Sequence, residues 1–343
     1  MLKTDAVAIR TWREVRDGGR DCAVLWAEGA GELANGFISV TPINFFRDGL
    51  ALYRGDEGDQ PLPPDWAGRT FDDPAVQPAY ANYVPGAADD EAFHIHTGWA
   101  QVAFEPAAGH TLRLGYTRQE ADQILYPALQ MDAVYDNADR LDLHYRWDRS
   151  GGMLEMVRVH VYGNRILHWM TDSERPTGAP APRGYSMGTD ADSQVMGGRV
   201  EARRSRWLFG FETSRREWDT VTQLRMTGYT GQASIPDVVT NTFGFYAVYE
   251  RPVVDWLKIR LGGRLDRARS AADPALANTD LYYAYQDTRS TEGTDVIPSG
   301  FVEATWGLAG TVEMRAGLGH TARVPDPQER YFALKRMGSD WVG

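Results

Sequence analysis

The chain has 343 residues and is acidic, with 36 Lys+Arg against 47 Asp+Glu and a formal net charge of −11. That balance excludes nucleic acid as a main partner, because phosphate binding needs a basic face. A single cysteine, Cys22, excludes an internal disulfide and any cysteine-built metal cluster. The 16 Tyr, 12 Phe, 11 Trp, 35 Gly and 18 Pro point instead to a β-rich chain with many turns.

In chain order, MLKTDAVAIRTWREVRDGG carries charge throughout and has no apolar core, so it does not read as a signal peptide. No stretch approaches the roughly 20 apolar residues of a membrane helix. A cytoplasmic protein and a chain whose export signal lies upstream of residue 1 both remain open. Residues 1–93 form a poorly patterned N-terminal segment. A strand is expected near Asp48–Tyr53, and the next stretch, Gly55–Ala92, holds six prolines and one basic residue, Arg69. It reads as a long acidic surface loop or a disordered segment.

From residue 94 the chain turns to a period of two. Leu112, Leu114 and Tyr116 alternate with polar neighbours, then Leu141, Leu143, Tyr145 and Trp147, then Leu257, Ile259, Leu261 and Leu265, then Val312, Met314, Ala316 and Leu318. Alternation on a strand makes one apolar and one polar face. Candidate strands 95–104, 111–118, 139–148, 154–162, 197–203, 206–213, 242–250, 256–266, 300–306 and 311–320 pair across short turns. Between the pairs lie polar connections of about 20 to 30 residues, and short turns alternating with long loops are the pattern of an outer-membrane barrel. Lipid offers the backbone no hydrogen bonds, so strands must satisfy one another. Tyr145, Trp147, Trp207, Tyr249, Trp256 and Trp306 fall near strand ends, where interfacial aromatic belts sit, although aromatics also simply suit strands. The expected fold is an all-β, antiparallel transmembrane β-barrel over 94–343. A porin-like channel and a soluble β-rich carbohydrate-binding protein are the alternatives. The soluble one requires the apolar positions to meet in a closed core.

Four stretches add specific wording: GYTRQEADQILYPALQMDAVYDNADRLDLHY (115–145), HWMTD (168–172), RGYSMGTDADSQVMGGR (183–199) and GHTARVPDPQERYFALKRMGSDWVG (319–343). They resemble the barrel portion of TonB-dependent outer-membrane receptors, which often place an Arg, a Pro and a Glu-Arg-Tyr run after a late strand. The resemblance implies a 22-stranded barrel around an N-terminal plug. It also implies an outer-membrane location in a Gram-negative cell, lipid as the surrounding partner, and coupling to the TonB protein through the plug. The cargo would be a scarce nutrient: a ferric siderophore, cobalamin, a metal or a similar small molecule or metal chelate. No coupling box, plug wording or closing aromatic strand is recognisable here. The chain is therefore expected to hold part of such a barrel, roughly 10 to 13 strands, and not to transport by itself.

No Walker loop, nucleophile elbow or HExxH motif occurs, so neither an enzyme nor a bound cofactor is expected. Arg323, Glu329 and Arg330 are candidate ligand contacts, with a loop salt bridge as the competing reading. His168 and Met170 pair an imidazole with a thioether, which suits reduced copper. Met187 and Met196 follow in the expected loop, and some receptors that resemble this chain around HWMTD and MGGR import copper. The competing reading ends a strand at the membrane interface with Trp169 and Met170. His94 and His96, two apart, are a weaker metal candidate than a plain polar pair. Asp190 and Asp192 fit calcium less well than solvated loop charge.

Overall fold

The computed structural model describes residues 93–343 except 127–128, 150, 176–177, 179–183, 226–228, 309–311 and 337–339, together with five short strands before residue 48. The expected strand at 48–53 and the loop at 55–92 lie outside the described residues.

The early strands are β1 (Ala8–Thr11), β2 (Asp21–Glu28), β3 (Ala30–Leu33), β4 (Gly36–Val40) and β5 (Ile43–Arg47). A run of ten long strands follows: β6 (His94–Ala107), β7 (His110–Ile124), β8 (Asp132–Asp148), β9 (Met156–Thr171), β10 (Met187–Arg204), β11 (Trp207–Leu224), β12 (Tyr229–Val254), β13 (Leu257–Ala271), β14 (Glu292–Leu308) and β15 (Val312–His320). Each pairs antiparallel with the next in sequence, and with β4 and β3 they make one sheet in the order β15-β14-β13-β12-β11-β10-β9-β8-β7-β6-β4-β3. Two strands from within residues 1–93 therefore join the main sheet, β4 entering through Ile38↔Phe104. β1, β2 and β5 form a separate three-stranded sheet. Among the described residues, β15 and β3 are the two ends of the main sheet and do not pair with each other.

All five short turns fall where the alternation places them. The long connections do not. β11 runs on to Leu224 and β12 starts at Tyr229, so most of an expected loop of about 30 residues is paired strand. β8, β10 and β14 likewise begin earlier than alternation suggests. Beyond the apolar band both faces of a strand meet water, so the period-two signal fades while the backbone ladder continues. Among the described residues, irregular chain remains at 125–126, 129–131, 172–175, 184–186, 272–278 and 287–291.

Register fixes which side chains share a face. Leu143 stands opposite Leu114 on one side and Val161 on the other. Phe211 stands opposite Val200 and Phe245, which in turn faces Leu265. Leu261 stands opposite Val302, and Val302 opposite Leu318. The result is one apolar face across β6–β15, and it is bare: Leu141 is 52%, Phe245 57% and Leu265 54% exposed. A closed soluble core would bury these side chains, and a soluble surface does not leave such a sheet of them in water. The face fits lipid, as expected for Leu141, Leu143, Leu257 and Ile259. At its short-turn edge Trp207 packs on Tyr249 with ring centroids 4.7 Å apart, and Trp147 lies across from His110. Together they form an interfacial aromatic belt.

The one buried apolar cluster described lies at the opposite, loop end, where Ile235, Val238, Ala272, Leu281, Tyr282, Tyr331 and Ala333 come together. Helix α1 (Thr279–Gln286) contributes Leu281 and Tyr282, and its first turn is capped by Asn278, whose side chain accepts from the Leu281 N–H.

Candidate functional site

The face opposite the apolar one is polar and cross-linked. Glu212 on β11 accepts from Arg264 on β13 at 2.9 Å and from Arg199 on β10 at 3.3 Å. Arg264 also holds Asp266 through two bonds of 2.6 and 2.7 Å. The Tyr246 hydroxyl donates to Glu201 at 2.6 Å. Its ring lies over Gly210, where a Cβ would come within 2.0 Å of the ring, so only glycine permits that crossing. An inward wall of alternating charge is what a water-filled or plug-filled lumen requires.

The sequence-predicted ligand contacts sit at the loop end of this wall and are engaged with the chain itself. Helix α2 (Pro327–Tyr331) opens on a capping box: the Asp326 side chain accepts from the helix start, and Glu329 accepts from the Asp326 N–H at 2.8 Å. Arg323 grips the same Glu329 carboxylate with both terminal nitrogens, one bond at 2.6 Å. That guanidinium first, and then the Asp326 N–H, hold the Glu329 carboxyl down at about 2. Arg330 makes two bonds of 2.9 Å to Asp295 of β14, and Asp326 accepts from Arg216 of β11 at 2.8 Å. Arg216 and Asp295 both belong to the polar face, so α2 lies against that face. Tyr331 is buried beneath it, donating to the Ser270 carbonyl at 3.0 Å, while Tyr282 donates to the Tyr331 carbonyl at 2.6 Å. Burial pushes both phenols up. After α2 the chain doubles back through β16 (Ala333–Leu334) and β17 (Trp341–Val342).

His168 and Met170 share the polar face at the loop end of β9, two residues apart. His168 Nδ1 lies 3.2 Å from Asp136 Oδ2, directly across on β8. Met170 faces Thr189 and Ala133. Neither Met187 nor Met196 lies in a loop. Both are in β10, and Met196, opposite Arg215 and Gly163, belongs to the apolar face and is 47% exposed there. A donor on the far side of the sheet does not join His168. Asp190 and Asp192 are also strand residues; Asp192 accepts from Arg165 at 2.7 Å. His94 and His96 bond to each other, Nε2 to Nε2, at 3.0 Å.

Just above His168, Asp172 ties the loop shut, accepting from the Ser186 N–H at 2.8 Å and the Met187 N–H at 2.9 Å. HWMTD and RGYSMG thus meet at one carboxylate. Nearby, Arg175 and Asp132 form a buried pair, with bonds of 2.6 and 2.7 Å and side-chain exposures of 5% and 7%.

Sequence reasoning left one cluster unassembled. Stepping four residues back along each strand from Asp148↔Met156 brings His144 opposite His160. Their rings stack at 4.0 Å, and His144 Nε2 lies 3.1 Å from Asp142 Oδ1. The hairpin register carried that information, because a short turn sets every pair behind it.

Among solved structures the chain is similar to the copper transporter OprC, with 21% identity and a TM-score of 0.60, covering 90% of this chain and 43% of that one. It is also similar to the FrpB iron transporter of Neisseria meningitidis (12%, TM-score 0.52, 89% and 44% covered). A third is the ferric-catecholate import receptor Fiu of E. coli K12 (11%, TM-score 0.51, 92% and 56%). These likenesses concern the fold, and the chain spans about half the length of each receptor. No curated protein searched matches it. The sequence itself matches the family described as "TonB dependent receptor-like, beta-barrel" over residues 41–340, which takes in every strand from β5 to β16. With an apolar face for lipid and a charged wall opposite, the chain belongs to the TonB-dependent receptor-like β-barrel family, whose barrels sit in the outer membrane.

Proposed function

We propose that this chain forms part of the wall of an outer-membrane receptor that takes up a scarce nutrient, driven by TonB acting through a plug in the lumen. Copper in its reduced form is the nutrient its own residues favour. One arrangement carries this reading: the Asp136–His168 pair beside Met170 on the lumen face at the loop end. The carboxylate on Nδ1 orients the ring and leaves Nε2 for a metal, a support that raises the ligand's basicity. A thioether two residues on adds a soft donor on the same face, and imidazole with thioether selects Cu(I) over harder ions. OprC, with which the chain shares its fold, transports copper, and this points the same way. Arg323, Glu329 and Arg330 enter the reading by holding α2 across the loop end of the lumen rather than by touching cargo.

The test is Cu(I) partition between the chain in detergent micelles and a chromophoric chelator. H168Q and M170L are each expected to weaken binding by roughly tenfold or more. Equal affinity in both variants and the unsubstituted chain contradicts the assignment.

A further inference from the structure

The lumen wall carries a second group of metal-ligand side chains, far from His168. Asp142, His144 and His160 offer one ligand atom each, all within 4.8 Å of one another. His144 and His160 are a direct cross-strand pair of β8 and β9, and Asp142 is two residues from His144 on the same face. On β9, His160 lies eight residues from His168 toward the short turns, which at the usual strand rise is about 26 Å.

We propose that Asp142, His144 and His160 bind one divalent transition-metal ion of the zinc type. Two imidazoles and a carboxylate, with a fourth position open, are a donor set that such an ion accepts. In a tetrahedral site with bonds of about 2.0 to 2.2 Å the donors stand about 3.3 Å apart. His144 Nε2 and Asp142 Oδ1 are already at 3.1 Å. The three donors come from two hydrogen-bonded strands, so the backbone positions them before any ion arrives. Space is provided too: Gly115 stands opposite Asp142 on β7, where a Cβ would fall 2.6 Å from the Asp142 carboxylate. His144 and His160 line a groove of about 710 Å³ on the lumen side, through which an ion reaches them.

Four guanidiniums line that groove, and a cation tolerates them only if their charge is met elsewhere. Arg146 is paired with Asp148, Arg158 with Glu201 at 3.9 Å, and Arg199, directly across from His160, with Glu212 at 3.3 Å. Arg113 stands directly across from His144. Its charge opposes the ion, so removing it tightens binding if the ion sits where proposed.

The experiment is Zn²⁺ titration of the full chain in detergent, followed by Co²⁺ substitution and its visible absorption. The expected result is one Zn²⁺ per chain and a tetrahedral Co²⁺ band. H144Q and H160Q each weaken binding by roughly tenfold or more, whereas R113Q strengthens it. Circular dichroism and gel mobility with and without heating show whether each variant keeps the barrel strands. Should a glutamine variant fail that check, D142N and R113Q, one weakening and one strengthening, decide the matter. Failure to bind Zn²⁺, binding unchanged by H144Q, H160Q and D142N, or a Co²⁺ band lost in the H94Q/H96Q double variant instead overturns the proposal.

Discussion

Glu329 is solvent-exposed, yet two partners hold its charge: the Arg323 guanidinium and the Asp326 N–H. Its folded-state value of about 2 lies below the ordinary 4.5, so its contribution to docking α2 is in force above pH 4.5 and fades as pH falls from there through 2. A carboxyl NMR titration of the chain in detergent is expected to place the Glu329 midpoint near 2 and to move it toward 4.5 in R323Q; a midpoint already near 4.5 contradicts the grip. Beneath α2, the Tyr331 hydroxyl donates to the buried Ser270 carbonyl and its ring packs in the apolar cluster. Y331F is expected to cost about 1 kcal/mol of docking and Y331A about 3 to 5 kcal/mol, read from protease protection of residues 321–343. Asp132 differs in kind. Replacing it removes two of the bonds that hold the buried Arg175 guanidinium, so D132N is expected to destabilise the loop end, measured by local hydrogen exchange.

At the scale of elements, what the sequence showed depends on where each strand runs. Segments crossing the apolar band alternate strictly, as in Leu141 to Trp147 or Leu257 to Leu265, and those strands and their short turns are legible directly. Above the band, residues 214–224 and 229–241 pair as strands although SRREWDTVTQL and YTGQASIPDVVTN show no clean period. Pro236 and register shifts near Thr220 disguise them further. Helix α2 stands where a loop was expected; its local signal is the capping box of Asp326 and Glu329 with Pro327 at the helix start. Its berth was not readable, since Arg216 and Asp295 lie 110 and 35 residues from their partners. The same holds for the candidate metal positions: HWM is visible as a motif, whereas Asp136 joins His168, and His144 joins His160, only through register.

On the scale of the whole molecule, the two faces of one sheet carry the account. Neighbouring residues on β12 alternate between them: Phe243 and Phe245 toward lipid, Gly244 and Tyr246 toward the lumen. Phe245 stands near the middle of the apolar band, so F245R is expected to cost about 2 to 4 kcal/mol when unfolding is followed in lipid vesicles. A substitution at Ser299 on the lumen wall, paired with Arg264, should cost far less. The most direct measurement starts from the chain with Cys22 replaced and places single spin-labelled cysteines at Phe243, Gly244, Phe245, Tyr246, Leu141 and Asp142 in vesicles. Labels at 141, 243 and 245 are predicted to be relaxed by membrane-dissolved oxygen, and those at 142, 244 and 246 by a water-soluble nickel chelate. Equal accessibility along β12, or shielding of 243 and 245 from both reagents, would contradict a lipid-facing barrel wall.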